Sequence, residues 1–600
     1  MTDQKLALPP HRPRPPSAQR AAPAPKGRCA PGRPGCASGI AYFSMEIGLR
    51  SDMPTYSGGL GILAGDTIQT AADMEVPMVA VTMLARKGYF HQELDAAGRQ
   101  VETPDVWDVA QHLRRRDKQV TVVLEKREVK VRAWQYDVVG LTGFVVPVFF
   151  LDTDLPANDQ KDRELSHYLY GGDKRYRLCQ EYVLGVGGVR LLRTLGYDQI
   201  DRFHMNEGHA AFLIVQLLDE ELNRSGGKKI KPEHIESVRR KCVFTTHTPV
   251  AAGHDKFPME LVRKVIGRHR IWNIQGELTG DSNTLNMTYL ALNFSHYING
   301  VSQQHGKVSQ EMFSEYRIEA ITNGVHAATW TAPPVQKLLD HYIPAWRADN
   351  FSLRYALRIP AEELWEAHTK CKTKLIRTIA AAHKVRLDPE VFTIGFGRRA
   401  TAYKRADLIF RDLARLRTIA AKAGPFQIIF GGKAHPQDEP GKELIRHIFE
   451  AGKRLEPKVR LVYLPNYDID VAKIMIPGVD LWLNTPQPPH EASGTSGMKA
   501  ALNGVPSLSI LDGWWIEGWV ENLTGWAINE KSRARRTSKA DTSGKDALAL
   551  YDKLQDVVIP MFYKDREQYL RIMLFALALN GSFFNTQRML QEYLLKAYMQ

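Results

Sequence analysis

Two series of short apolar runs, separated by one long amphipathic stretch, restrict this chain to a small set of folds. Ile40–Ser44, Met78–Leu84, Val145–Leu151, Cys242–Thr245 and Ile318–Ile321 are bounded by turn residues and alternate with longer stretches of helical period. Ala361–Val385 then reads as a long helix ending at a hinge, Arg386-Leu-Asp-Pro389, and the pattern restarts. Val391–Phe396, Phe426–Phe430, Val459–Leu464, Leu481–Asn484 and Ser507–Leu511 form the second series. Strands that are apolar on both faces need helices on both faces, so each series predicts a parallel, Rossmann-like doubly wound α/β domain. The divisions are 39–386 and 387–564, with a helical terminal segment 565–600.

The chain is long enough for this: 600 residues with 44% hydrophobic content can bury more than one core. No run approaches the roughly 18 apolar residues a membrane helix needs, and no secretory start is visible, which predicts a cytoplasmic protein without a membrane partner. Residues 1–38 hold nine prolines and no apolar period, and are expected to be a disordered Pro/Arg-rich tail. That tail carries +6 of the net +14, and no basic stripe marks a nucleic-acid partner. Five scattered cysteines lack zinc spacing; Cys179 and Cys242 read as small core residues.

The most informative motif is Glu491-Ala-Ser-Gly-Thr-Ser-Gly-Met-Lys499, which continues to Gly504. Gly494 and Gly497 permit a close approach of ligand to backbone, Ser493, Thr495 and Ser496 supply hydroxyls, and Lys499 falls in the first turn of a helix. Free amides at a helix start attract phosphate, and a desolvated lysine beside it is kept nucleophilic toward an aldehyde. After the strand Val391–Phe396 comes Gly397-Arg-Arg-Ala-Thr-Ala-Tyr-Lys-Arg405. Its cations stand beyond the carboxyl end of a strand, where ligands of such sheets bind, and Arg399 with Lys404 suits orthophosphate. A third segment, Tyr56-Ser-Gly-Gly-Leu-Gly61, forms a glycine-rich turn before a helix-like run.

These three blocks resemble the α-glucan phosphorylase family, the glycogen, starch and maltodextrin phosphorylases, in a short form. The resemblance runs from about Ile40 to the C-terminus. It implies the GT-B type architecture, two Rossmann-like domains facing a central cleft, with the terminal helices packing back on the first. It also implies pyridoxal 5′-phosphate as cofactor, anchored on Lys499 and contacted by Arg398, where the family often has lysine, by Gly494 and Thr495, and by Tyr467 near the ring. Amides around Gly58 and Gly59 would complete a phosphate cage from the opposite domain. Arg399 and Lys404 would hold the substrate phosphate, making them catalytic with Lys499, while His247, Glu491, Ser493 and Gly494 would hold the glucosyl unit.

The implied reaction is reversible phosphorolysis of terminal α-1,4-glucosyl units to α-glucose 1-phosphate; no metal is implied, and members are often homodimers. The tail does not resemble the regulatory N-terminus of larger members, so allosteric control is not expected. Two alternatives remain open at this point, a nucleotide-sugar-dependent glucan synthase and an inactive glycan-binding relative. Against the first, Lys499 stands where many nucleotide-sugar transferases place a second acid that accepts ribose hydroxyls, which a cation cannot do. His204-Met-Asn-Glu207-Gly-His209 reads as structural rather than metal-binding. Lys433 reads as a loop-shaping residue, and Trp514, Trp515, Trp519 and Trp526 suit carbohydrate stacking or a core.

Overall fold

The computed structural model describes residues 39–250, 254–279, 283–528 and 542–600, so the expected tail, 1–38, lies outside the described residues. Two large sheets dominate. The first has nine strands in the order Glu319–Ala320, Tyr297–Gly300, Cys242–Thr245, Ile200–Asn206, Gly39–Ser44, Met78–Met83, Val145–Asp152, Arg127–Val139 and Arg114–Leu124. Its first seven are mutually parallel, and Gly39–Ser44 lies between Met78–Met83 and Ile200–Asn206.

The last two strands form an antiparallel hairpin that sequence reading missed. They alternate buried and exposed residues instead of running apolar throughout, because one face meets solvent. Their two-residue turn, Glu125-Lys126, has φ of 50° and 67°, the left-handed pair that matches the twist of a tight hairpin.

The second sheet has six parallel strands: Arg460–Leu464, Phe426–Gly431, Phe392–Gly397, Leu481–Asn484, Ser507–Ile510 and Gly525–Ile528. Numbered by chain position this is 3-2-1-4-5-6, the doubly wound order, with its switch between Phe392–Gly397 and Leu481–Asn484. The loops that follow these two strands diverge there and leave a crevice. Both motifs of greatest interest, 397–405 and 485–499, leave those two strands.

Packing, not chain order, sets the border between the lobes. The helix Ala361–His383 precedes the expected hinge yet lies on the second sheet, where Asp480 accepts from Lys372 Nζ at 2.6 Å and His368 Nε2 at 2.9 Å. Its apolar face belongs to the same core as Phe392, Ile394 and Trp482. The terminal segment is divided as well. Arg566–Phe575 joins that second core, whereas Thr586–Tyr593 crosses to the first lobe, where the Tyr593 hydroxyl is 3.0 Å from Thr245 Oγ1 and accepts from Asn299 Nδ2 at 3.0 Å. Among the described residues, no helix is long and apolar enough to cross a membrane.

Candidate active site

A cleft of about 1290 Å³ lies between the lobes, lined by the loops that follow the central strands of both sheets. It collects every residue expected at the site: Gly58, Gly59, His247, Arg398, Arg399, Lys404, Tyr467, Glu491, Ser493, Gly494, Thr495 and Lys499.

Lys499 is the fourth residue of the helix Ser496–Ala501 and is only 7% exposed. Its Nζ sits 3.6 Å from the centroid of the Trp330 ring. Burial pushes the amine down to about 8, partly countered by the charge of Asp66. Asp66, itself buried, accepts the Trp330 indole N–H at 2.8 and 3.0 Å. Asn503 holds the same turn by donating to the carbonyls of Trp330 and Lys499, both at 2.8 Å.

Across the switch point, Lys404 Nζ and Arg398 Nη2 converge on one oxygen, Glu491 Oε2, at 2.5 and 2.7 Å. Arg398 also donates to Asn484 Oδ1. Burial alone would raise the Glu491 carboxyl, but the two cations outweigh it and hold it below the usual range. The acid expected to face sugar is thus the counter-charge of two cations expected to grip phosphate. The Glu491 amide donates to Asp512 Oδ2 at 2.9 Å, fixing the loop. Gly494 has φ of 79°, and Ser493 Oγ is buried with no hydrogen-bond partner among the described residues.

Arg399 spans the lobes, donating to Ser57 Oγ at 3.3 Å. A Cβ on Gly58 would stand 3.3 Å from Arg399 Nη2, whereas one on Gly59 would meet open space. The Gly58 amide is already used: it donates to Glu46 Oε2 at 3.2 Å, as does the Ser57 amide at 2.5 Å. The acid that takes these two amides, Glu46, is buried and was missed by sequence reading, so the Gly58 amide is not free for the phosphate cage expected from this turn. Glu46 also accepts the Tyr170 hydroxyl at 2.9 Å. Its only sequence signal is an acid two residues beyond a strand end.

His247 follows the strand Cys242–Thr245. Burial pushes its imidazole down to about 4, so the ring is neutral. Nε2 is 2.6 Å from Asn206 Oδ1 and must carry the proton, which leaves Nδ1 as the acceptor. Glu207 orients this strand end by accepting from the His247 amide at 2.8 Å and Thr248 Oγ1 at 2.9 Å. His204 is held by Thr245 Oγ1 at 2.8 Å and the Tyr598 hydroxyl at 2.5 Å, a structural arrangement. Tyr467 packs against Gly397 and Gly431, where an added Cβ would lie 2.8 Å from its ring. Trp514, Trp515 and Trp526 are core residues, 2% exposed or less, and do not offer a stacking surface; Trp519, half-buried, donates to Glu521 Oε2 at 2.8 Å.

The arrangement combines a buried amine, a cluster of cations at a switch point and a neutral histidine in one cleft. The family described as carbohydrate phosphorylase matches residues 274–521. Maltodextrin phosphorylase of Thermococcus litoralis is 41% identical over 93% of this chain and 70% of its own length. Glycogen phosphorylase of Aquifex aeolicus is 35% identical over 93% of this chain and 86% of its own, and that of Mycobacterium tuberculosis 37% over 88% and 66%. With identities of this size along nearly the whole chain, the protein belongs to the carbohydrate phosphorylase family.

Proposed function

We propose that this protein is a cytoplasmic α-glucan phosphorylase that transfers a terminal α-1,4-linked glucosyl unit reversibly to orthophosphate, giving α-glucose 1-phosphate with retention. The observation that carries the reading is the convergence of Arg398 and Lys404 on Glu491, beside Arg399, in the cleft that also buries Lys499. Such a cluster has cations ready for a phosphate and an acid ready to release them to it.

Pyridoxal 5′-phosphate suits these residues. A buried lysine brought down to about 8 is partly neutral at working pH, as an amine that captures an aldehyde must be. Bound there, the cofactor supplies a phosphate whose second pKa, near about 6, suits proton exchange close to neutral pH. Lys499 would anchor it, Tyr467 would lie along its ring, and Arg398, Gly494 and Thr495, with the turn at Gly59, would hold its phosphate.

The chain's own part is then positioning and charge. Arg399 and Lys404 hold orthophosphate against the repulsion of a second phosphate and stabilise the ion pair it forms with a cationic sugar. Orthophosphate protonates the departing glycosidic oxygen and attacks from that same face, which accounts for retention. Glu491 and Ser493 bind sugar hydroxyls, and His247 Nδ1 accepts one. Catalysis needs no carboxylate nucleophile from the chain.

Borohydride treatment of the purified protein, followed by peptide mass analysis, should place a pyridoxyl adduct on Lys499. Maltoheptaose should release glucose 1-phosphate only with orthophosphate present. An unmodified Lys499 after reconstitution would sink the cofactor assignment, and release driven by a nucleoside diphosphate would point to a glucan synthase.

A further inference from the structure

A small hairpin, His91–Leu94 with Gln100–Thr103, belongs to the first lobe by sequence but pairs only with itself and lies on the second lobe. A two-stranded hairpin has little stability of its own, so what holds it is informative. Its two buried glutamines, 1% and 8% exposed, are bonded across the lobes. Gln92 donates to the Gly432 carbonyl at 3.0 Å and accepts the Asn466 amide at 2.8 Å, while Asn466 Oδ1 accepts the Gln92 amide at 3.1 Å. Gln100 donates to the Ala434 carbonyl at 2.9 Å and accepts the Ala434 amide at 3.0 Å. Between them, Lys433 Nζ donates to the Phe90 carbonyl at 3.0 Å.

The segment so gripped supports the phosphate loop directly. The Arg398 amide donates to the Gly431 carbonyl and the Ala400 amide to the Lys433 carbonyl, both at 3.0 Å. Gly432 leaves no slack, since a Cβ there would lie 1.9 Å from the Arg398 carbonyl oxygen. The lobes cannot separate along this edge without stripping partners from buried amides, and a shift of residues 432–434 must move Arg398–Ala400.

We propose that Gln92 and Gln100 are positioning residues, a clasp through which the first lobe fixes the loop Arg398–Lys404 of the second in its phosphate-gripping shape. The assignment of that loop to orthophosphate rests on the phosphorolysis reading. The two glutamine side chains are neutral and grip backbone groups of Gly432, Ala434 and Asn466, so they orient the cations without adding charge to the cleft.

Gln100→Met keeps the volume and removes the bonds to Ala434 together with the one that Gln100 Oε1 accepts from Gln92 at 2.8 Å. Amide exchange at Arg398 and Ala400 should quicken about tenfold or more, and KM for orthophosphate should rise about tenfold, with kcat and KM for maltoheptaose within about twofold. Unchanged exchange at Arg398 and Ala400, or an equal rise in both KM values, would overturn the proposal. Should the variant fail to fold, the unaltered protein decides: orthophosphate should slow exchange in 91–103 together with 398–404, and protection confined to 398–404 would overturn the clasp. If the unaltered protein makes no glucose 1-phosphate, the phosphorolysis reading falls while the exchange response to Gln100→Met still decides this one.

Discussion

Glu491 is the residue whose role changes most between sequence and structure. Alone it reads as a sugar contact; folded, it neutralises Arg398 and Lys404 through a single oxygen. Glu491→Gln should therefore lower KM for orthophosphate several-fold by freeing two cations. Steady-state kinetics with each substrate varied would check this, and a raised KM for orthophosphate would refute it. Lys499 gives a second expectation. In cofactor-free protein, reductive labelling of its amine should rise through about pH 8, whereas exposed lysines follow their ordinary value near about 10.4. Asp66 favours the charged amine, so Asp66→Asn should shift that profile to lower pH, as read by mass analysis of the labelled peptide.

At the scale of elements, the site is a property of where two loops leave the second sheet. Phe392–Gly397 and Leu481–Asn484 are adjacent though distant in the chain, and the switch between them brings 397–405 against 485–499. The apolar runs made most of these strands legible, but Ile200–Asn206, interrupted by Asp201, Arg202 and His204, and the four-residue strands Tyr297–Gly300 and Gly525–Ile528 were not read. The antiparallel hairpin Arg114–Leu124 with Arg127–Val139 was illegible by the same test, since only one of its faces is buried. Glycines at this level are specific. Gly432 has φ of 155° and stands against Arg398, so Gly432→Ala should displace the phosphate loop and reduce kcat/KM for orthophosphate by about 100-fold or more. Gly58 has an extended backbone and a 3.3 Å neighbour in Arg399, so Gly58→Ala should cost only several-fold in KM for orthophosphate.

At the scale of the molecule, the two lobes are joined by segments that do not respect chain order. The helix Ala361–His383 precedes the expected hinge yet is pinned to the second sheet by Asp480, which also accepts the Thr393 amide at 2.7 Å. Burial opposes the charge of Asp480, but Lys372 and His368 outweigh it and hold the carboxyl below its ordinary value. Its contribution to stability is therefore present above about pH 4 and lost as pH falls through the lowered value. Asp480→Asn would leave Lys372 buried without its counter-ion, at a cost of about 3–5 kcal/mol, seen as a lower urea midpoint near neutral pH. The same variant should show a smaller acid-dependent loss of stability than the unaltered protein.

The sequence by itself determined the two α/β units, the three glycine-containing blocks and the residue types able to hold a phosphate and an aldehyde. Those follow from periodicity and local chemistry, which a linear reading can see. Only the tertiary structure decided that Glu491 pairs with Arg398 and Lys404, that Glu46 takes the amides of Ser57 and Gly58, that Trp330 and Asp66 surround Lys499, and that a hairpin of one lobe clasps the other. Each of these joins residues too far apart in the chain, or too ordinary in type, to announce a partner. Their charges and hydrogen bonds acquire a role only when burial removes the water that would otherwise satisfy them.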